Sequence, residues 1–181
     1  MPDVFVGSRY TREAWRGAVV PTGQMFSGNS SPEGIERLAE CISDLRPRAV
    51  LVQAMNRGEL PLVVVLLERG VRVMVVTKDR LRTLATGQYP LDAAALARLA
   101  GRVRPLGESL NTREEYDEQV RLLLARRRQV LEMQAQEEER LSVAEYGPIR
   151  EDLERHLFFL DRQLGRLHEL LLYTVQAVSP R

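Results

Sequence analysis

The sequence predicts an α/β protein, with a mixed five-stranded sheet in its first part and long helices in its second. Short apolar runs alternate with helical patterns through the first half of the chain. A Pro-Thr-Gly turn at 21–23 separates two of these runs, as in an antiparallel hairpin. Residues 112–146 contain no Gly or Pro, which favours one long helix.

Five segments have the length and composition of strands. The first three are joined by short connections, which indicates an antiparallel meander. The last two are continuous apolar runs, typical of strands that are covered on both faces of a sheet. The predicted strands are 3–7, 15–20, 24–27, 49–52 and 71–76. Three antiparallel strands followed by helix, strand, helix and strand is the order of a mixed sheet of the ribonuclease-H type.

Helix signals lie between and after these strands. Ser31, Pro32 and Glu33 provide an N-cap, a first helical position and an acid in the first turn. Gly70 ends the next helix. The helices predicted in this part are 31–45, 58–69, 77–86 and 90–102. They complete an α/β domain that we assign to residues 1–105.

Residues 106–181 are predicted to form a hairpin of two long helices, 112–146 and 149–178, with a turn at Gly147 and Pro148. The second helix has an apolar seam whose spacing alternates between four and three residues, as in a coiled coil. The seam consists of Leu153, Leu157, Leu160, Leu164, Leu167, Leu171, Thr174 and Val178. Its six leucines are the predicted oligomerisation surface, because a two-helix hairpin buries little by itself.

Composition excludes several classes of protein. The net charge is only +1, so no global basic field exists. Cys41 is the single cysteine, which rules out an intramolecular disulfide and suits a reducing compartment. No apolar run is long enough to cross a bilayer. No phosphate loop, dinucleotide fingerprint or zinc pattern occurs, so we expect no cofactor and no metal. We expect a cytoplasmic protein, which could associate with the nucleoid.

Short motifs occur along almost the whole chain in a characteristic order. They are Val6-Gly7, Pro21-Thr22-Gly23, 31–35 (SPEGI), 59–63 (ELPLV), 70–73 (GVRV), 91–97 (LDAAALA), 103–105 (VRP) and 126–133 (RRRQVLEM). In this order and spacing the chain resembles the N-terminal half of DEDD insertion-sequence transposases and Piv-type DNA invertases. The resemblance implies a RuvC-like domain followed by a long helical hairpin.

The resemblance also places the four metal-binding acids of that family on this chain. Arg9 stands at the first position, Gln53 at the second and Tyr89 at the third. Only the fourth acid, Asp92, is retained. Two-metal phosphodiester chemistry needs several converging carboxylates, so we expect no catalysis. An alternative interpretation of Asp92 is an acid that stabilises a helix start. The family's C-terminal domain with a nucleophilic serine is also expected to be missing.

Basic residues suggest where nucleic acid would bind. Residues 77–111 carry six cations against three acids, whereas residues 112–181 carry eleven against fourteen. Arginine suits phosphate because its planar fork donates two parallel hydrogen bonds. The candidate binding residues are Arg9, Lys78, Arg80, Arg82, Arg98, Arg102, Arg104, Arg126, Arg127 and Arg128. The alternative is a solvated surface, with Arg9 in water and Arg128 paired with Glu132 one turn later.

The sequence therefore favours a catalytically inactive, transposase-derived protein. We expect it to bind DNA or structured RNA and to form a homodimer or a higher homo-oligomer through its helices. One alternative is a coiled-coil scaffold that binds proteins and no nucleic acid. The third hypothesis is a residual nuclease or transposase activity.

Overall fold

The computed structural model describes residues 3–11, 14–54, 58–84 and 91–178. Strands and helices alternate in the first part, and two long helices occupy most of the second. The strands are β1 (Phe5–Tyr10), β2 (Trp15–Val20), β3 (Met25–Gly28), β4 (Ala49–Gln53), β5 (Val73–Val76), β6 (Arg104–Pro105) and β7 (Ala177–Val178). The helices are α1 (Pro32–Asp44), α2 (Leu60–Glu68), α3 (Lys78–Leu84), α4 (Ala93–Ala100), α5 (Leu106–Leu110), α6 (Arg113–Val143) and α7 (Gly147–Thr174).

Five strands form one mixed sheet in the order β3-β2-β1-β4-β5. The pairs β1/β2 and β2/β3 are antiparallel, while β1/β4 and β4/β5 are parallel. Every residue of β4 and β5 is buried, as expected of parallel strands that are covered on both faces of a sheet. The predicted α/β class and the mixed five-stranded sheet are confirmed.

Local sequence signals explain where α1 begins and where α2 ends. The Ser31 hydroxyl accepts a hydrogen bond from the Gly34 backbone N–H at 3.1 Å, and Pro32 occupies the first turn of α1. Gly70, just after α2, has a φ of +72°, a conformation that glycine adopts without strain. Both signals were predicted from the sequence.

Helix α4 lies directly against β1 at Gly7. A Cβ atom on Gly7 would lie 2.2 Å from the Ala93 carbonyl oxygen and 2.3 Å from the Ala97 nitrogen. A Cβ on Gly101, at the other end of α4, would meet the ring of Phe5 at 3.2 Å. The helix therefore runs antiparallel to β1, with its N-terminus beside the C-terminal end of that strand.

The C-terminal segment differs from the prediction. The last helix ends at Thr174, and the expected continuation to Val178 is wrong, because β7 pairs with β6 in antiparallel register. Gln176 forms a parallel bridge to Val75, and its carbonyl accepts a hydrogen bond from the Leu106 N–H at 2.7 Å. Ala177 is fully buried within the cluster that contains strands β4 and β5. Residues 176–178 are thus part of the α/β core.

The chain forms two compact units, which differ from the predicted division at residue 105. One unit comprises residues 1–113 together with 174–181, and the other comprises 114–173. The residues on either side of the predicted boundary form β6 and α5. Among the described residues, no helix is both long enough and apolar enough to cross a membrane.

Side chains of α6 and α7 contact each other in reverse sequence order. Arg126 donates to the Gln163 side chain at 3.4 Å, Arg127 donates to His168 at 3.2 Å, and Glu137 pairs with His156 at 3.2 Å. Partners that are later on α6 are earlier on α7, so the two helices run antiparallel. Val130 and Leu160, which lie between these contacts, are fully buried.

Candidate nucleic-acid interface

Arg9 lies at the C-terminal end of β1, beside the start of α4. It is opposite Gln53 in the parallel pair with β4 and opposite Arg16 in the antiparallel pair with β2. Its Nη1 donates a hydrogen bond to the Leu91 carbonyl oxygen at 3.2 Å. Its Nε is buried and has no hydrogen-bond partner among the described residues. Arg9 therefore fixes a positive charge where β1 meets α4.

Gln53 ends β4 and is buried. Its two neighbours across the sheet are Arg9 on β1 and Val76 on β5. An amide carries no net charge, so Gln53 adds no negative charge beside the guanidinium of Arg9. The strand end thus holds one cation and one neutral amide.

Asp92 is the N-cap of α4. Its carboxylate accepts a hydrogen bond from the Ala95 backbone N–H at 2.7 Å, and the side chain is exposed. The N-cap is the residue just before the first helical turn, so Asp92 lies at a helix start, as its alternative interpretation predicted. Capping satisfies a backbone N–H that has no partner within the helix. The structure therefore gives Asp92 a definite structural role.

The donors at this end of the sheet do not suit a divalent cation. Mg²⁺ takes oxygen ligands and is held by converging carboxylates, whereas Arg9 brings a positive charge and Asp92 already caps a helix. In the described ranges, no group of three or more His, Cys, Asp or Glu side chains is arranged to hold a metal ion. Tyr89, the third position implied by the resemblance, lies outside the described residues, as does Arg12, a neighbour of Arg9 in the sequence.

The cations predicted between residues 77 and 111 are mostly exposed. Arg82 also pairs with Asp79 at 3.4 Å within α3. Arg104, on β6, is half-buried, and its Nε has no hydrogen-bond partner in the part of the chain that the structure describes. The exposed members of this set are Lys78, Arg80, Arg82, Arg98 and Arg102. All of these cations belong to the same compact unit as Arg9.

The Arg126-Arg127-Arg128 cluster does not form a single patch. Successive residues of an α-helix point about 100° apart, which separates three consecutive side chains. Arg126 contacts Gln129 and Gln163, Arg127 contacts His168, and Arg128 is exposed. The three consecutive arginine side chains therefore point in three different directions from α6.

The leucine seam of α7 is largely covered within a single chain. Leu160 and Leu171 are buried, and Leu153, Leu157, Leu164 and Leu167 are half-buried. The contacts of His156, Gln163 and His168 with α6 lie on either side of the seam. Two of the six leucines are therefore buried within a single chain, and the other four keep part of their surface exposed.

The buried acid Glu137 was not predicted from the sequence. Its carboxylate lies 2.8 Å from Arg140 Nη1 and 3.2 Å from His156 Nδ1. An acid on a mostly polar helix gives no sign of burial until the opposing helix is known. Its contact with His156 joins α6 to α7, which is a structural function.

No model of a protein family matches the chain, and no curated protein matches it.

Proposed function

We propose that this protein is a non-catalytic nucleic-acid-binding protein, derived from a transposase with a RuvC-like domain. The strand order β3-β2-β1-β4-β5 is consistent with a ribonuclease-H-like sheet, the finer fold that the motifs imply. Two long antiparallel helices follow it, as in the helical hairpin of that family. This order of elements supports the proposal.

Arg9 is the observation that carries the proposal. In a metal-dependent nuclease of this type, an acid occupies the corresponding strand end and binds Mg²⁺. Here the Arg9 guanidinium donates a hydrogen bond to the Leu91 carbonyl, and the neutral Gln53 is the register neighbour of Arg9 on β4. An arginine has five N–H donors and matches phosphate geometry, so the same position favours a phosphate group over a metal ion.

Exposed cations in the same unit supply further phosphate contacts. Lys78 and Arg80 lie on α3, Arg98 lies on α4, and Arg102 follows α4. Residues 77–111 carry six cations and three acids, an excess of positive charge in a chain that is otherwise nearly neutral. Contacts of this kind position the protein on a duplex backbone and depend little on base sequence.

The test is a binding titration with a DNA duplex and a structured RNA, each with a fluorescent label. Affinity should fall as salt rises from about 50 to about 200 mM, because bound cations release counterions from the phosphate backbone. Comparison of the two probes identifies the nucleic acid. No binding to either probe at low salt would refute the proposal and favour a protein-interaction scaffold.

Two variants with a matched control locate the surface. Arg9→Gln and Arg98→Gln should each weaken binding and reduce the salt slope by about one unit, as the loss of one phosphate contact does. Arg37→Gln removes an exposed arginine of α1 and should change neither quantity. Fluorescence of the buried Trp15 verifies that each variant is folded. An equal effect of Arg37→Gln would contradict a defined surface.

A nicking assay tests the non-catalytic part separately. Supercoiled DNA incubated with the protein and Mg²⁺ should remain intact. Mg²⁺-dependent nicking that Asp92→Asn abolishes would overturn this part of the proposal and support a residual nuclease.

A further inference from the structure

We propose that Arg16, together with Arg9 and Gln53, binds the terminal phosphate group at the end of a nucleic-acid strand. The three residues form one row across β2, β1 and β4, called here the strand-end row. The inference rests on the proposed nucleic-acid binding and deepens it, because it names the part of the nucleic acid that Arg9 contacts. Arg16 does not belong to the basic residues that the sequence predicted to bind.

The strand register brings the three side chains of the strand-end row to one face of the sheet. Arg16 is the antiparallel partner of Arg9, and Gln53 is the parallel partner of Arg9. Side chains of register partners lie on the same face, and neighbouring strands are about 4.8 Å apart. The row therefore spans about 10 Å from Arg16 to Gln53.

Arg9 and Arg16 are like charges in direct register, and neither forms an ion pair with an acid in the part of the chain that the structure describes. Like charges directly opposite each other destabilise a pair of strands. The carboxylate of Asp92, which follows Leu91, caps α4 at the Ala95 N–H instead. An anion between the two guanidinium groups would remove the repulsion, so the pair favours a negatively charged ligand.

The donors of the strand-end row are held by the fold on one side and open on the other. The hydrogen bond from Arg9 to the Leu91 carbonyl fixes the direction of the Arg9 guanidinium. Arg16 is exposed, so its guanidinium is accessible to a ligand. Gln53 is only 5% exposed, yet no hydrogen bond joins its amide to another described side chain. Buried polar groups normally have a partner, so this amide also points to a ligand.

A terminal phosphate fits the strand-end row better than an internal phosphodiester. A phosphate monoester has three free oxygens and a charge of about −1.5 to −2 at pH 7. A phosphodiester inside a strand has two free oxygens and a single negative charge. Two guanidinium groups balance the charge of the monoester, and each of the three side chains can donate to a different oxygen. The row therefore selects the end of a strand.

Fluorescent DNA and RNA hairpins of one sequence, labelled in the loop, test the selection. Each is prepared with a 5′-phosphate, with a 3′-phosphate, with neither, and with each phosphate as its methyl ester. A terminal phosphate should lower Kd about 10-fold, the effect of one added hydrogen bond to a charged group. The methyl ester should abolish this gain, because it removes one charge and one free oxygen. The two phosphorylated hairpins identify which end is bound.

Two negative results are distinguishable in this experiment. Equal Kd values for hairpins with and without a terminal phosphate would overturn the inference and leave nucleic-acid binding intact. A tightening that the methyl ester preserves would also overturn it, because an ordinary phosphodiester would then suffice. No binding of any hairpin at low salt would refute the proposed function itself.

Arg16→Gln locates the effect on the strand-end row. It should reduce the preference for a terminal phosphate from about 10-fold to less than about 2-fold. Arg37→Gln, which removes an exposed arginine of α1, should leave the preference unchanged. Gln53→Glu keeps the shape of the side chain but replaces a donor with an acid, and it should also abolish the preference. Trp15 fluorescence verifies that each variant is folded. Equal preferences of Arg16→Gln and Arg37→Gln would exclude a role for Arg16.

Discussion

Replacement of Gly7 by alanine should disrupt the contact between α4 and β1. The added Cβ would lie 2.2 Å from the Ala93 carbonyl oxygen, 2.3 Å from the Ala97 nitrogen and 2.7 Å from the Leu96 Cβ. Two of these atoms belong to the backbone, so a change of side-chain rotamer cannot relieve the overlap. The helix as a whole has to move away from the strand.

The size of the effect follows from this displacement. An ordinary contact requires α4 to retreat by about 1 Å, which loosens the packing layer between the helix and the sheet. Overpacking typically lowers the free energy of unfolding by about 1–3 kcal/mol. We expect a loss of about 3 kcal/mol for Gly7→Ala, because backbone atoms take part in the overlap. The melting temperature should fall by about 12 °C, at about 4 °C per kcal/mol for a domain of this size.

Trp15 provides the assay. It is the only tryptophan of the chain and is fully buried on β2, a strand that α4 also contacts. Urea denaturation followed by its fluorescence should show a lower midpoint for Gly7→Ala. Gly28→Ala is the control, since its Cβ would meet Leu38 at an ordinary 3.6 Å and should change stability by less than about 0.5 kcal/mol. Equal midpoints for the two variants would refute the close approach of α4 to β1.

Three further outcomes follow from the structure. Asp92→Ala should lower the free energy of unfolding, measured by urea denaturation, by about 1 kcal/mol, because the cap to the Ala95 N–H is lost. Asp92→Ser should retain most of this stability, because serine also caps a helix. Gly165→Ala should stabilise α7 by about 1 kcal/mol, measured by circular dichroism, because nothing lies within 4 Å of the new Cβ. Backbone and Ser31 hydrogen bonds lower the pKa of Glu33 from 4.5, so its stabilising effect exists above that pH and is lost as pH falls through the lowered value. Thermal melts of Glu33→Gln should therefore depend less on pH below about 5 than those of the wild type; an identical dependence would contradict this role.

Much of the α/β unit could be predicted because its signals are local. The cap at Ser31 needs only the three residues that follow it, and the buried strand at 49–53 is visible as a continuous apolar run. The candidate site was predictable in part. Arg9 and Gln53 are indeed register neighbours, but the bond from Arg9 to Leu91 joins residues that lie 82 positions apart.

Helical periodicity misled the prediction at the end of the chain. Val178 continues the four-three spacing of the seam, yet it belongs to β7 because Arg104 offers a strand partner there. A heptad pattern predicts which side of a helix is apolar, but it carries no information about whether a distant strand will pair with the last residues. Tertiary pairing therefore overrides the local preference.

By itself the sequence determined the fold class and the strand and helix order of the α/β unit, because these depend on composition, periodicity and neighbouring residues. Only the tertiary structure decided which side chains from distant segments contact each other and which remain exposed. It buried Leu160 and Leu171 of the seam within one chain, gave Arg126 and Arg127 different partners on α7, and left Phe159 exposed. These outcomes depend on which helices pack against each other. Such packing joins segments that are distant in the sequence, so no local pattern predicts it.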